Sequence, residues 1–376
     1  MFTILKKSKK SNARIGKLRL PNGEIITPCF LPIATRGAVK NLTPEELKEL
    51  DAQIILANTY HLIQRPGLRI IKKAGGLHNF ISWDGPILTD SGGYQIFSLA
   101  RKRKITKNGV KFISEIDGKK IFLTPEKSIE AQIIFGSDII MVLDECPPWP
   151  ATHKYAKKSL NLTIDWAKKA KIFYEKRLGS KTKNKAKPLI FGISQGSTFK
   201  DLREKSVKGL VEIGFDGYAV GGVSVGEPAK DKKKVLEWMA ELLPEEKPRY
   251  VMGYGKPEEI VEAVNLGMDI FDCVIPTREA RHGRIYKYKS KIQNPKSKIT
   301  SKNPNFYEVI QIDKAKFRND LKPIDKYCKC YTCKNYSRTY LNHLFRTKEP
   351  LALRLATIHN LYFYLSLMKK LHDSIY

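Results

Sequence analysis

Eight short apolar runs, separated by segments with helical periodicity, constrain the fold of this chain more than any other feature. The runs recur between residues 29 and 275. Short apolar runs that alternate with helices are typical of a parallel sheet, and eight of them favour a closed (β/α)8 barrel. The runs are CFLPIA (29–34), QIILAN (53–58), PILTD (86–90), DIIMVLD (138–144), PLIFGISQ (188–195), GYAVGG (217–222), RYVMGYG (249–255) and MDIFDCVI (268–275).

Several segments between the runs carry the pattern of an amphipathic helix. Residues 124–136, 200–214 and 256–267 place apolar side chains at helical spacing, and each segment ends on a glycine. Glycine is the residue most favoured just beyond the last turn of a helix. We therefore expect a helix in each of the three segments.

Polar residues or glycines stand at or near the C-terminal end of seven runs. In a barrel these strand ends meet at one mouth, which is where the active site of such a fold lies. A doubly wound open sheet would not bring seven strand ends to one point. The pattern therefore predicts an α/β protein with a (β/α)8 TIM barrel. The residues concerned are Asn58, Asp90, Asp144, Gln195, Gly222, Gly253 and Asp272.

A cluster of cysteines near the C-terminus predicts a metal site. Cys328, Cys330 and Cys333 follow a Cys-x-Cys-x-x-Cys spacing. Three thiolates and one imidazole make a closed tetrahedral zinc site with no vacancy for substrate, which indicates a structural ion. Spacing alone leaves the fourth ligand open among His343, His359 and His372.

Two insertions interrupt the alternation of strands and helices. Residues 100–123 contain Asn-Gly and Asp-Gly pairs, which favour β-hairpin turns. Residues 287–326 form a lysine-rich stretch that leads to the cysteine cluster. We predict a catalytic barrel over residues 1–303, with the hairpin insertion, and a zinc-binding subdomain with C-terminal helices over residues 304–376.

The charge of the chain points to a polyanionic partner. Sixty-eight lysines and arginines outnumber 38 acidic residues, for a net charge of +30. Such an excess favours nucleic acid first and an anionic membrane surface second. Because lysine is spread along the whole chain, the excess could also be a compositional habit of the source. The nucleic-acid interpretation rests on basic residues gathered at particular loops, such as Arg278, Arg281, His282 and Arg284 after the eighth run.

The same composition indicates where the protein works. The sequence contains no run of 18 or more apolar residues, and MFTILKKSKK lacks the apolar core of a signal peptide. Six cysteines in this arrangement are not a secreted disulfide framework. We therefore expect a cytoplasmic protein with no membrane association.

Seven sequence segments resemble those of bacterial tRNA-guanine transglycosylases, the queuine tRNA-ribosyltransferase family. The similarity runs from about residue 12 to 370 in the family's order and spacing. It implies a TIM barrel with a zinc subdomain and an enzyme of the pentosyltransferase class. The segments are ILANTYHL (55–62), LTDSGGYQIFSL (88–99), DECPPWP (144–150), FGISQGS (191–197), GYAVGGVSVGE (217–227), MGYGKPEEI (252–260) and FDCVIPTR (271–278).

The resemblance also implies a reaction and its substrates. The enzyme would exchange the wobble guanine of queuosine-family tRNAs, which have GUN anticodons, for free 7-aminomethyl-7-deazaguanine. The exchange is a step in queuosine biosynthesis and would pass through a covalent ribosyl-enzyme intermediate. The partner would be the tRNA anticodon stem-loop, and family members form homodimers through the zinc subdomain. In this chain Tyr336, Tyr340 and His343 would lie on one helical face there, at positions i, i+4 and i+7.

Carried over residue by residue, the resemblance makes Asp272 the nucleophile and Asp90 the general acid/base. Tyr94 and Met252 would lie on the two faces of the base. The zinc ligands would be Cys328, Cys330, Cys333 and His359. The residues that would hold the base are Asn58, Ser91, Gly92, Gly93, Tyr94, Asp144, Cys146, Gln195, Gly221, Gly222, Val223 and Met252. Those in segments that touch tRNA would be Gly253, Tyr254, Gly255, Lys256, Pro257, Glu258 and Glu259, and Thr277, Arg278, Glu279, Ala280 and Arg281.

The chemistry of base exchange explains why carboxylates are needed. Retention of configuration at the ribose requires two displacements, the first by a carboxylate nucleophile and the second by the incoming base. A second carboxyl group must protonate the departing guanine and later take a proton from its replacement. Retaining glycosidases hold two such groups about 5 Å apart. Asp144 suits hydrogen bonds from the guanine-like edge of the base.

Three other interpretations compete with this one. An inactive paralogue that only binds tRNA would be signalled by loss of a catalytic aspartate, yet both are present. Archaeal-type enzymes usually carry extra C-terminal RNA-binding domains, which this sequence does not show. A metal-dependent barrel hydrolase would need histidine at the strand ends, and those ends carry none. Within the family, Cys146 and Val225 match the prokaryotic base pocket, whereas Val223 replaces the usual leucine.

Overall fold

The protein is described here from a computed structural model, which covers residues 1–99, 102–179, 187–289 and 305–375. Its strands are β1 (Phe2–Lys7), β2 (Arg14–Leu20), β3 (Gly23–Thr27), β4 (Cys29–Leu31), β5 (Ile55–Ala57), β6 (Ile87–Thr89), β7 (Arg103–Thr106), β8 (Gly109–Ile113), β9 (Lys120–Leu123), β10 (Ile139–Met141), β11 (Leu189–Ser194), β12 (Gly217–Val220), β13 (Arg249–Val251), β14 (Ile270–Asp272), β15 (Arg284–Tyr288) and β16 (Tyr307–Gln311). Its α-helices are α1 (Pro44–Glu49), α2 (Thr59–Gln64), α3 (Leu68–Lys73), α4 (Leu77–Ile81), α5 (Gly93–Leu99), α6 (Pro125–Phe135), α7 (His153–Leu178), α8 (Lys200–Ile213), α9 (Ala229–Leu242), α10 (Pro257–Asn265), α11 (Ile275–Arg281), α12 (Tyr331–Asn335), α13 (Arg338–Arg346) and α14 (Pro350–Ile375).

Eight parallel strands form the centre of the molecule. They are hydrogen-bonded in the order β4-β14-β13-β12-β11-β10-β6-β5. A parallel bridge between Ile33 and Leu56 joins the two ends of this sheet and closes the ring. Each of the eight predicted apolar runs contains one of these strands, so the predicted (β/α)8 barrel is confirmed.

The three helices expected from periodicity are present as α6, α8 and α10. Helix α6 ends at Gly136, which has a φ of 73°, and α8 ends at Gly214, which has a φ of 80°. Glycine adopts this left-handed conformation without the steric cost that a Cβ atom imposes. The glycines therefore stop the helices at the points from which the chain returns to the barrel.

The hairpin insertion forms a small antiparallel sheet of β7, β8 and β9. It lies between the C-terminal end of β6 and the start of α6, which places it at the rim of the barrel mouth. Its inner face carries Val110, Phe112 and Leu123, which are buried in a cluster with Tyr60 and Trp166. The prediction of hairpins is confirmed for residues 102–123, while residues 100 and 101 lie outside the described part.

The C-terminal helix α14 fastens the last part of the chain to the barrel. It packs on α10, α11 and β4, and the hydroxyl of Tyr364 donates a 2.7 Å hydrogen bond to the carbonyl of Gly255. Buried side chains of α14 and of the barrel belong to one continuous hydrophobic cluster. The proposed division at residue 303 stays a prediction, and the lysine-rich residues 290–304 lie outside the described part.

None of the helices in the described residues is both long and apolar enough to cross a membrane.

Candidate active site

A cavity of about 510 Å³ opens at the mouth of the barrel, where the strands end. Its volume falls in the range usual for small-molecule sites. Gly92 and Gly93 do not line it. Instead, the N–H of Gly92 donates to the side chain of Asp90, and the N–H of Gly93 donates to the side chain of Ser91. The residues predicted to hold the base or to catalyse the exchange that do line the cavity are Asn58, Asp90, Ser91, Tyr94, Asp144, Cys146, Gln195, Gly221, Gly222, Val223, Met252 and Asp272, and from the predicted tRNA segments Gly253, Gly255, Lys256, Glu259 and Arg278 line it as well.

Asp90 follows β6 and is 6% exposed. The side-chain amide of Asn58 donates to Oδ2, while the N–H groups of Thr59 and Gly92 donate to Oδ1 at 2.8 and 3.2 Å. Burial disfavours the charged form and raises the pKa of Asp90 to about 6, although the hydrogen bonds act in the opposite direction. A carboxyl group with such a pKa can give up and accept a proton near neutral pH.

Asp272 is the last residue of β14, and its two oxygens are in different environments. Oδ1 accepts hydrogen bonds from the hydroxyl of Tyr250 at 2.5 Å and from the N–H of Gly253 at 2.8 Å. No hydrogen bond from the described residues reaches Oδ2. Burial raises the pKa of Asp272, while both hydrogen bonds lower it. One oxygen is therefore held by the protein, and the other is left for a ligand.

Asp90 and Asp272 face the same part of the cavity. They come from different strands, β6 and β14, which are separated by β5 and β4 in the closed ring. After burial, the charge of Asp272 is the main cause that raises the pKa of the Tyr250 phenol, and the charge of Asp90 also raises it. The barrel therefore brings the two predicted catalytic carboxyl groups to the same cavity.

Asp144 is held by neutral polar groups. Ser91 donates from its hydroxyl to Oδ1 at 3.1 Å, and Gln195 donates from Nε2 to Oδ2 at 2.7 Å. Burial raises the pKa of Asp144, and the two side-chain bonds lower it. The other amide atom, Gln195 Oε1, is buried and has no partner in the described part of the chain. Since buried acceptors are rarely left unsatisfied, this atom suits a ligand with an N–H donor.

The loop after β12 contains a carboxylate that the sequence reasoning did not single out. Glu227 is buried, and its two oxygens accept hydrogen bonds from the N–H groups of Ser224 at 2.6 Å and Val225 at 2.8 Å. All three residues line the cavity. An acid that ends the glycine-rich segment GYAVGGVSVGE was the available signal.

Tyr250 and Lys232 were also missed. Tyr250 lies within an apolar strand and carries no one-dimensional signal for contact with Asp272. Lys232 forms a buried ion pair with Glu259 at 2.5 Å, and both residues line the cavity. Glu259 had been expected to touch tRNA.

The two segments expected to contact tRNA divide into exposed and buried side chains. Gly253, Lys256 and Arg278 are exposed, and Glu258, Glu279 and Arg281 are half-buried. The other six residues are buried, and helices α10 and α11 both pack on α14. Both segments stay predicted tRNA contacts, with side-chain surface available at Lys256, Glu258, Arg278, Glu279 and Arg281 and only backbone at Gly253. The buried residues are Tyr254, Gly255, Pro257, Glu259, Thr277 and Ala280.

The predicted metal ligands lie together. The ligand atoms of Cys328, Cys330, Cys333 and His359 all lie within 4.8 Å of one another. The Sγ atoms of Cys328, Cys330 and Cys333 are 3.7, 3.5 and 3.2 Å from His359 Nδ1. In a tetrahedral zinc site, with zinc–sulfur bonds of about 2.3 Å and zinc–nitrogen bonds of about 2.0 Å, sulfur and nitrogen lie about 3.6 Å apart, which is close to these distances. His359 Nε2 lies 2.6 Å from the carbonyl oxygen of Tyr286. A proton donated there leaves Nδ1 free to bind an ion, so the group fits a metal.

The other two histidines lie elsewhere. His372 Nε2 is 2.8 Å from the carbonyl of Pro28, and His343 is in the last turn of α13. The prediction that Tyr336 shares a helical face with Tyr340 and His343 is wrong. Ser337 caps a new helix by accepting a hydrogen bond from the N–H of Tyr340, so Tyr336 lies outside α13. Its ring nevertheless stacks on Tyr340, with 5.3 Å between centroids.

Comparison of the sequence with known proteins identifies relatives of this chain. A family model described as queuine tRNA-ribosyltransferase matches residues 8–376. A queuine tRNA-ribosyltransferase of Caldanaerobacter subterraneus subsp. tengcongensis is 50% identical over 374 residues, which cover 100% of this chain and 93% of the relative. The protein of the same name from Acinetobacter baylyi is 49% identical over 98% of this chain and 90% of its own length. The one from Vibrio cholerae serotype O1 is 50% identical over 98% and 91%.

Proposed function

Because the chain belongs to the queuine tRNA-ribosyltransferase family, we propose that it exchanges the wobble guanine of tRNAs with GUN anticodons for 7-aminomethyl-7-deazaguanine. The exchange would serve queuosine biosynthesis, and it would take place in the cytoplasm, where tRNA is modified. The observation that carries the proposal is the set of three buried aspartates around one cavity. Each is held by different groups, so each suits a different task.

In the first half of the reaction, Asp272 acts as the nucleophile. Its Oδ2 attacks the anomeric carbon of the ribose, and the bond from that carbon to guanine breaks as the ester bond forms. Asp90 gives its proton to the departing guanine, a role supported by its pKa of about 6. The product of this half is a ribosyl ester of Asp272 and neutral free guanine.

In the second half, the incoming base attacks the same carbon and releases Asp272 as a carboxylate. Asp90, now ionised, takes the proton that the base loses. Two inversions at the anomeric carbon preserve its configuration.

The base is recognised by Asp144 and Gln195. The Asp144 carboxylate accepts from the N–H groups of the guanine-like edge, and Gln195 Oε1 offers a second acceptor. Tyr94, which is 49% exposed, and the half-buried Met252 cover the two faces. The Ser224 N–H is bound to Glu227, so the carbonyl of Val223 in the same planar peptide points the opposite way. That carbonyl accepts a hydrogen bond from the aminomethyl arm.

The tRNA anticodon stem-loop binds across the mouth. Taking the wobble nucleotide out of its stack costs a few kcal/mol, and contacts of Lys256, Arg278 and Arg281 with phosphates offset that cost. The net charge of +30 supports a polyanionic substrate.

We propose zinc as the ion held by Cys328, Cys330, Cys333 and His359, because three thiolates and one imidazole are a donor set that zinc favours. The ion is structural, because four protein ligands leave no position for substrate. The homodimer expected for the family would use the nearby surface. Tyr336 packs against Tyr331 and Tyr340, so the three rings form one aromatic cluster, and Tyr331 and Tyr340 are exposed. An exposed aromatic cluster of this kind supports a contact surface for a second copy.

Incorporation of radiolabelled guanine into unmodified tRNA tests the reaction. Purified protein should label a tRNA with a GUN anticodon and should leave the same tRNA unlabelled when its wobble guanosine is replaced by adenosine. Unlabelled 7-aminomethyl-7-deazaguanine should compete, and bulky queuine should compete poorly, because overpacking a formed pocket costs about 1–3 kcal/mol. Failure to label the unmodified tRNA would refute the proposal.

A further inference from the structure

Arg203 is a fully buried arginine that directly adjoins the base pocket. It lies in α8 and has no exposed surface. Its guanidinium donates to the carbonyls of Ser197 at 2.9 Å, Ser194 at 3.0 Å, Gly221 at 2.9 Å and Gly222 at 3.3 Å. No carboxylate in the described ranges lies within 4.0 Å of it. Buried charges are normally paired with an opposite charge, so a guanidinium held only by carbonyl dipoles is unusual.

The bonds to Gly221 and Gly222 fix the orientation of two consecutive peptide planes. In a planar trans peptide, the carbonyl of one residue and the N–H of the next point in opposite directions. Since both carbonyls point at Arg203, the N–H groups of Gly222 and Val223 point away from it. Gly221, Gly222 and Val223 line the cavity, whereas Arg203 does not. No acceptor in the described residues receives either N–H.

The glycines are required for this arrangement. Gly222 has a φ of 60°, and a Cβ atom there would lie 2.3 Å from Gln195 Oε1. A Cβ atom on Gly221 would lie 2.7 Å from Gln195 Nε2. The peptide planes therefore pass directly beneath the side chain that bonds to Asp144, which places both N–H groups at the part of the cavity assigned to the base.

We propose that Arg203 is a positioning residue that aims the N–H groups of Gly222 and Val223 at the carbonyl oxygen of the guanine-type base. The inference rests on the proposed function, because it assumes that such a base occupies this cavity. The ligand feature recognised is a carbonyl oxygen on a purine-like ring.

This arrangement also serves the chemical step. When the bond between ribose and guanine breaks, its electron pair moves onto the base and is shared with the carbonyl oxygen until Asp90 delivers a proton. Preoriented amide donors stabilise such developing negative charge. A cation that polarises the same two peptides strengthens these donors, and its own field is strong because the site is buried.

The test compares guanine with 2-aminopurine, which lacks the carbonyl oxygen, as competitors of labelled 7-aminomethyl-7-deazaguanine. Wild-type protein should prefer guanine, and Arg203→Met should reduce that preference at least about tenfold, because the donors lose their aim. Arg203→Lys should lie between the two, since an ammonium group cannot span four carbonyls with the geometry of a guanidinium. The kcat for exchange should fall in the same order, while the affinity for tRNA stays within about twofold.

Arg249 provides a matched control. It is also buried, donates to the carbonyls of Leu243 and Pro244, and lies at the start of β13, at the opposite end of the barrel. Burial lowers the pKa of Arg203 and of Arg249 alike to about 10. Arg249→Lys should lower the unfolding temperature but keep the preference for guanine.

The outcomes separate the two proposals. An unchanged preference in a folded Arg203→Met or Arg203→Lys protein would overturn the role of Arg203 and leave the proposed function intact. An equal loss of preference in Arg249→Lys would show that the effect is only structural, which also overturns the inference. If Arg203→Met does not fold, the lysine variant decides. Absence of guanine exchange by wild-type protein would instead refute the proposed function.

Discussion

At the scale of single residues, three aspartates at the same barrel mouth differ in what holds them. Asp90 is bound by an amide side chain and two backbone N–H groups, Asp272 by a phenol and one N–H, and Asp144 by a hydroxyl and an amide. All three pKa values are raised by burial. Their separate roles therefore depend on hydrogen-bond partners and on which oxygen remains available.

The nucleophile can be identified by trapping. When no acceptor base is supplied, wild-type protein should form an adduct with tRNA that survives a denaturing gel. Asp272→Asn keeps the shape of the side chain but loses its anionic oxygen, so the adduct and the exchange should both disappear while tRNA binding largely remains. Asp90→Asn should slow exchange about 10²–10⁴-fold through lost proton transfer. An adduct with Asp272→Asn but none with Asp90→Asn would reverse the two assignments.

The hydrogen bond from Tyr250 should be visible in the pH dependence of exchange. It stabilises ionised Asp272 and lowers the pKa of that carboxyl group. Tyr250→Phe removes the donor, so the pKa rises and Asp272 stays protonated to higher pH. The acid limb of the kcat/KM profile should therefore move up by about one pH unit.

Tyr218→Phe is the control for this measurement. The hydroxyl of Tyr218, on the adjacent strand β12, accepts a hydrogen bond from the N–H of Phe215 and takes no part in the cavity. Its loss should leave the acid limb in place. Equal profiles for Tyr250→Phe and wild-type protein would remove Tyr250 from the account of Asp272.

At the scale of elements, the helices that follow the barrel strands have distinct inner and outer faces. In α11, which packs on α14 and β15, Thr277 and Ala280 are buried, whereas Arg278 is exposed and Arg281 is half-buried. One short helix therefore packs on the C-terminal helix with one face and presents Arg278 at the mouth with the other. The same division leaves side-chain surface free in only part of each segment predicted to contact tRNA.

Arg278 and Arg281 should act on tRNA affinity rather than on chemistry. Each change to glutamine removes one phosphate contact, so tRNA binding should weaken for all sequences and the slope of log K against log salt should fall by about one. The kcat at saturating tRNA should stay close to that of wild-type protein. A filter-binding titration at several salt concentrations measures the tRNA affinity and its salt slope, and the rate of exchange at saturating tRNA gives kcat.

Arg177→Gln is a suitable comparison for these variants. Arg177 is an arginine at the C-terminal end of α7, away from the mouth, where it pairs with Glu130 at 3.1 Å. The salt slope should not change there. If Arg177→Gln lowers the slope as much as Arg278→Gln does, the mouth is not the site of phosphate contact.

At the scale of the whole molecule, the cysteine cluster is joined to the barrel through one helix. His359 lies in α14, between the thiols and the strand residue Tyr286. The next residue, Asn360, donates to the carbonyls of Pro276 in α11 and Arg284 in β15. The three cysteines and His359 are therefore connected to α11, the helix that carries Arg278 and follows strand β14.

Loss of the metal should destabilise this region. Purified protein should contain one zinc ion per chain, and Cys330→Ala should lose it and unfold the C-terminal part, because zinc in isolated fingers contributes roughly 10 kcal/mol of binding free energy to folding. Elemental analysis and thermal unfolding measure the two effects. Cys29→Ala, at a buried cysteine in β4 that does not belong to the ligand group, should keep the metal. Metal-free protein of equal stability would contradict the assignment.

Local patterns in the sequence determined the barrel and much of the site. Short apolar runs, helical periodicity, glycine at helix ends and turn-forming pairs all act within a few residues, so the strands, the helices α6, α8 and α10, and the hairpin sheet could be predicted. Asp90, Asp144 and Asp272 stand at strand ends, and they could be predicted to meet because the parallel strands of a barrel finish at one mouth. The Cys-x-Cys-x-x-Cys spacing, which is also a local pattern, indicated a metal site.

Tertiary structure decided which side chains meet across long separations. The pairing of β13 with β14 places Tyr250 against Asp272, and the packing of α8 on β11 places Arg203 against Gly221. The path of α14 sets His359, rather than His343 or His372, among the thiols. The tertiary structure also buries Tyr254, whose neighbours in sequence line the cavity. These outcomes depend on which faces of strands and helices are covered by elements distant in the chain. Burial and partner groups set hydrogen bonding and pKa values, and neither is a property of a residue's immediate neighbours in sequence.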